Sequence, residues 1–255
     1  MLVIVGDSNT ICLTQGLNKV RMSSRQILAN SCGPILVSGI MRGFDPFANF
    51  FSTSDQGLRF VDFPEAWRFE KLTGHTFIDA NDPRIFGFCF GLHSIPLARE
   101  AVWQQYGIST PCQKMFLSNA VFRLIVLHQN RFILRFVDEV RQLGVRFFVI
   151  SAPPIRSAFI EKYKLHMSRH EHVEFQAAYR EIMSAELVRR GIPVILPPHN
   201  IDRNGILLAQ YELQHPDDDH HANLEYGSLF WEQFAARLTE DAGFMTAIGL
   251  ASCSS

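Results

Sequence analysis

The sequence predicts a three-layer α/β/α sandwich around a mostly parallel sheet. Two observations carry that prediction: short apolar runs recur along the 255 residues, each stopped by Gly or Pro, and helix-length amphipathic stretches separate them. A third is scale, because 47% hydrophobic composition at this length is enough to bury one substantial core.

Taken in order, Leu2 to Val5 is a strand that meets a Gly-containing turn, and Thr10 to Val20 follows with Ile11, Leu13 and Leu17 at roughly helical spacing. Further strands are expected at Ile35 to Ser38, Ile85 to Phe90, Val145 to Ser151 and Pro193 to Leu196. Ser118 to Leu143 reads as one helix closed by Gly144, and His172 to Arg190 as another closed by Gly191. Asn223 to Thr239 places Leu224, Phe230, Trp231, Phe234 and Leu238 along a last helix. A single domain over 1–248 is expected, with a small-residue tail, 249–255, that is frayed.

Residues 44–82 break the pattern. They are crowded with Phe and Trp but show no sustained period, so they read as an irregular insertion with one strand at Leu58 to Asp62. Its aromatic residues form either a satellite cluster under a long loop or a lid or wall for a substrate pocket.

Bulk chemistry narrows the function. A formal net charge of -1 provides no electrostatic footprint for nucleic acid or an anionic membrane. No apolar stretch approaches the length of a bilayer span, and Met1 to Val5 reads as a strand rather than a secretion signal. Cys12, Cys32, Cys89, Cys112 and Cys253 show no CxxC spacing, which fits a reduced, cytoplasmic setting.

The chemistry-bearing residues sit at the two ends. In an α/β sheet ligands collect beyond the carboxyl ends of the strands, and the first strand ends at Gly6-Asp7-Ser8-Asn9-Thr10. Ser8 at that turn is a candidate nucleophile; alternatively Asp7 or Ser8 only caps the following helix. Near the other end stands His215-Pro216-Asp217-Asp218-Asp219-His220-His221-Ala222-Asn223. Asp218 is placed to orient His221, which would take the serine proton. Spacing alone cannot choose the base, since His220 would pair with Asp217 at the same separation.

Gly-Asp-Ser after an N-terminal strand, with Asp-x-x-His shortly before the final helix and Ala222-Asn223 and Tyr226-Gly227 beyond it, resembles the GDSL/SGNH hydrolase family over nearly the whole chain. The resemblance implies a flavodoxin-like fold and a serine-dependent hydrolase of carboxylic esters, of esterase or deacetylase type, with no metal or organic cofactor. It favours His221 as base. It also implies oxyanion donors from the Ser8 N–H, from Gly39 (with Gly43 close enough to compete) and from the position held by His93. There the family's Gly-x-Asn-Asp turn would have Asn. Histidine changes charge near neutral pH, so activity would depend on its protonation in a way that asparagine does not impose.

Other readings share these residues. An acyl-enzyme on Ser8 could pass its acyl group to a sugar hydroxyl instead of water, making the chain an acyltransferase, or the fold could have kept only binding of an ester or saccharide ester. The stretch from His215 to His221 could hold Zn or Mn. His166, His170 and His172 form a second local group, in which His166 and His170 would share a helix face if the segment is helical.

Overall fold

The computed structural model describes residues 1–40, 48–108, 114–215 and 217–250, the side chain of Phe63 excepted. Five strands form the central sheet: β1 (Leu2–Gly6), β2 (Ile35–Gly39), β3 (Ile85–Cys89), β4 (Arg146–Ile150) and β5 (Val194–Ile195). Their order is β2-β1-β3-β4-β5 and every neighbouring pair is parallel, with Gly6 opposite both Gly39 and Cys89. This is the doubly wound 2-1-3-4-5 order, whose crevice opens where the winding reverses, between β1 and β3.

Alternation along the strands divides the core into two. On one face Val3, Val5, Phe86, Phe88, Phe147 and Val149 pack against α3 (Phe63–Thr73), α4 (Asn119–Gln129), α5 (Arg131–Gln142) and α6 (Arg169–Arg189). On the other, Leu2, Ile4, Ile85, Cys89, Phe148 and Ile150 meet α1 (Thr10–Leu17), α2 (Met22–Cys32), α7 (Leu224–Glu240) and α8 (Ala242–Ala247). Helices thus cover both sheet faces, as the sequence predicts, and Gly144 and Gly191 stand at positive φ beyond α5 and α6. No helix among the described residues is long and apolar enough to cross a membrane.

Three elements differ from expectation. Ser118 to Leu143 is two helices, because the buried Asn130 turns its Nδ2 back to Val126 O and accepts the Tyr179 hydroxyl, breaking the helical run between α4 and α5. The helix expected from His172 begins at Arg169, where Ser168 and Glu171 form a capping box. The phenylalanine-rich insertion, in its described part, is regular: an antiparallel hairpin, Phe51–Ser54 with Gly57–Phe60, followed by α3. Phe50, Phe51 and Phe60 are buried against Phe136, with ring centroids 5.3, 5.3 and 6.0 Å away, and Phe69 lies 6.4 Å from Phe86. These rings extend the core; Phe44 and Phe47 lie outside the described residues. At the far end, Leu250 N–H still donates to Met245 O, and 251–255 lie outside the described residues.

Candidate active site

At the end of β1 the chain turns through Asp7, Ser8 and Asn9 into α1. Asp7 builds this turn: its Oδ1 accepts from Asn9 N–H at 2.8 Å and Asn9 Nδ2 at 3.0 Å, and its carbonyl accepts from Thr10 Oγ1 at 2.7 Å. Burial pushes the Asp7 carboxyl up to about 6, against the bonds from Asn9 and the nearby charge of His221. Helix α1 has no side-chain cap bond, so Ser8 is not spent on capping. Among the described residues neither the Ser8 hydroxyl nor its N–H has a hydrogen-bond partner. Gly39, at the end of β2, lies against the same turn: a Cβ there would stand 2.8 Å from Thr10 Oγ1 and 3.1 Å from Asp7 O. Gly43 lies outside the described residues.

The loop before α7 carries the histidines. Asn223 fixes its exit by capping α7 through bonds from Glu225 and Tyr226 N–H and by giving Nδ2 to Gln210 O. Leu213 N–H donates to His221 O at 3.0 Å, closing the loop on itself. Within it His221 Nδ1 donates to Asp218 Oδ2, while Asp218 Oδ1 accepts from His221 N–H at 2.8 Å and His220 N–H at 3.1 Å. Burial opposes ionisation of Asp218, but the bonds from His221 outweigh it and hold the carboxyl down at about 2. His221 Nε2 is buried and, among the described residues, has no hydrogen-bond partner.

His220 pairs with Asp219, 2.5 Å from Nδ1 to Oδ1, and not with Asp217 as the spacing suggested. Asp219 is buried and held by Lys162 at 2.6 Å and Arg99 at 3.5 Å, which ties the loop to the segments after β3 and β4. The His220 ring lies 3.9 Å from that of His221 and 5.9 Å from that of His93, so three imidazoles gather at the sheet's switch point.

His93 follows β3 across the crevice. Its Nδ1 is 3.9 Å from Asp7 Oδ2, beyond hydrogen-bonding distance, and its Nε2 is buried without a partner among the described residues. Burial, reinforced by the charges of His220 and Arg99, pushes this imidazole down to about 3. Burial thus favours the neutral ring, against the dependence on protonation that the sequence suggested. That burial was not legible from the motif.

Helix packing brings the two chain ends together. α1, which follows Ser8, crosses α7, which follows His221, with Gly16 against Gly227 at the contact. Trp231 Nε1 donates to Leu13 O at 2.8 Å, Ser24 Oγ to Glu232 Oε2 at 2.5 Å, and Lys19 pairs with Glu225 at 2.6 Å. Each helix begins at its half of the site, so this packing sets the distance between those halves.

Sequence reading missed Arg156. Its side chain is 5% exposed; Nη1 donates to Asp218 Oδ1 at 2.7 Å and His221 O at 3.2 Å, and Nη2 to Glu212 Oε2 at 3.4 Å. The loop that carries it is tied down by Ile155 N–H to Gln176 Oε1 at 2.8 Å. No local motif signals a residue that acts across such a separation. Asp218, His220 and His221 also present donor atoms within 4.8 Å of one another. The Arg156 cation on Asp218 Oδ1 opposes a second cation on that carboxylate. Of the second histidine group, His166 precedes α6, His170 is exposed beside Glu174, and His172 is buried with Nε2 3.3 Å from Tyr163 O.

No family model matches the chain, and no curated protein matches it. Among solved structures the chain is similar to a candidate acylhydrolase from Bacteroides fragilis and to a GDSL-like lipase from Bacteroides thetaiotaomicron. Both stand at TM-score 0.48 and 11% identity, over 94% of this chain and 86% and 87% of theirs. It is also similar to an acetyl xylan esterase, at TM-score 0.44 and 12% identity over 92% of this chain and 98% of that one. Likeness of this degree carries no argument for the chemistry, which stands on the site's own geometry.

Proposed function

We propose that the chain hydrolyses carboxylic esters through an acyl-enzyme on Ser8, with His221 as general base and Asp218 orienting it. The observation that carries this reading is that two unspent groups each stand just before one of two helices that cross. His221 is tied at Nδ1 to a carboxylate with Nε2 buried and unpartnered, and Ser8 has an unengaged hydroxyl and N–H on a turn that feels the charge of His221.

In this mechanism His221 Nε2 removes the Ser8 proton as Oγ attacks the ester carbonyl, and Asp218 stabilises the imidazolium that forms. The Ser8 and Gly39 N–H groups and His93 Nε2–H surround the developing oxyanion, each such donor lowering the barrier by roughly 3–4 kcal/mol. Collapse expels the alcohol, which takes the proton from His221. Water then attacks the acyl carbon, giving its proton to His221, and Oγ departs with that proton to release the acid. No step needs a metal or organic cofactor.

The test is turnover of short p-nitrophenyl esters by the purified protein. Ser8→Ala and His221→Ala should lose nearly all hydrolysis and Asp218→Asn less. Equal rates in wild type and Ser8→Ala would remove the proposal, and a fully active His221→Ala would move the base to His220.

A further inference from the structure

Asp218 carries more than an orienting task. Among the described residues Arg156 is the one cation on its carboxylate, and the same guanidinium reaches Glu212 on the far side. Two carboxylates around one guanidinium leave a net negative charge shared among three side chains, all largely shielded from water, where charges are weakly screened.

We propose that Arg156 and Glu212 form a charge-setting pair behind Asp218, and that their balance decides the pH at which His221 is free to accept a proton. The inference rests on the reading of His221 as general base. Arg156 draws negative potential away from Asp218 and so reduces its hold on a protonated His221. Glu212 draws on Arg156 and gives part of that potential back. Both act through Asp218 as positioning residues. Among the described residues the other charged or titratable groups facing His221 are His220 on its own loop, Asp7 after β1 and His93 after β3. All three stay unchanged in the experiment.

The two substitutions should have opposite signs. In kcat/KM against pH, Arg156→Gln should move the acid limb to higher pH by roughly one unit, because the lost cation repels the imidazolium and a nearby like charge shifts a titration by that order. Glu212→Gln should move it to lower pH, and Arg156→Lys, which keeps the cation, should leave it near the wild-type position. A merely structural role predicts lower rates with an unmoved limb, or both substitutions moving it one way; either result overturns the proposal. Should Arg156→Gln fail to fold, an unmoved limb in Glu212→Gln alone overturns it. The same substitutions in a Ser8→Ala background, followed by the His221 ring resonances in NMR, should titrate in the same order. That readout separates failure of the charge pair from failure of the esterase reading, since it needs no turnover.

Discussion

Replacing Gly227 with alanine tests how the helix crossing sets the site. On an open helix the change would add up to about 1 kcal/mol of stability, since alanine is the better helix former. At this crossing the new Cβ would overlap the Cys12 carbonyl oxygen and stand 2.6 Å from that carbonyl's carbon and 3.2 Å from Gly16 Cα. Carbon atoms rest at about 3.5–4.0 Å, so α7 must retreat from α1 by about 1 Å. Overpacking of this kind costs about 1–3 kcal/mol. Backbone atoms on both sides leave no side chain to swing away, which puts the net effect at destabilisation. In a domain of this size each kcal/mol lowers Tm by roughly 2–4 °C. Because α1 begins just after Ser8 and α7 just after His221, the retreat also separates nucleophile and base, and a misplacement near 1 Å can cost roughly a hundredfold in rate. Thermal melts and ester turnover on one preparation measure both effects. A Gly227→Ala protein that melts higher than wild type and keeps full turnover would refute this reasoning.

Two further perturbations address individual groups. His93→Ala should slow turnover by roughly 10²–10³-fold as one oxyanion donor is lost. His93→Asn should retain most of it with a pH profile of wild-type shape, because burial keeps His93 neutral; a profile whose shape changes would show that His93 titrates in the working range. For Asp7, the folded state holds its proton up to about 6 while the unfolded chain gives it up near 3.8, so rising pH opposes folding between those values. Asp7→Asn should remove that penalty, gaining at most about 3 kcal/mol at pH 7 relative to pH 4. Urea unfolding at both pH values measures it, and an identical difference from wild type at each would contradict the raised carboxyl.

The strands of the sheet are legible because parallel strands buried on both faces need unbroken apolar runs, and here Gly and Pro punctuate them. The Asp218–His221 pair is equally legible, being local to one loop. The second strand of the hairpin at 51–60 is legible near Leu58, but its partner Phe51–Ser54 is hidden because Ser52 and Thr53 interrupt the aromatic residues that anchor it, and only the folded sheet reveals that Phe51 and Phe60 face Phe136. α2 is obscured by a single buried stripe of Ser24, Leu28 and Cys32, residue types that mark no clear apolar face. The break at Asn130 depends on Tyr179 from another helix, and Arg156 on Asp218 from another loop; such long-range partners leave no period in the chain. The capping box at Ser168 and Glu171, in contrast, stood in the sequence and would have set the start of α6.

The central claim, that Ser8 is activated by His221, is tested most directly by fluorophosphonate labelling followed by mass spectrometry of the intact protein and its peptides. Wild type should carry a single adduct on the peptide containing Ser8, and His221→Ala should carry almost none. An adduct on another serine, or equal labelling of Ser8 with and without His221, would contradict the account.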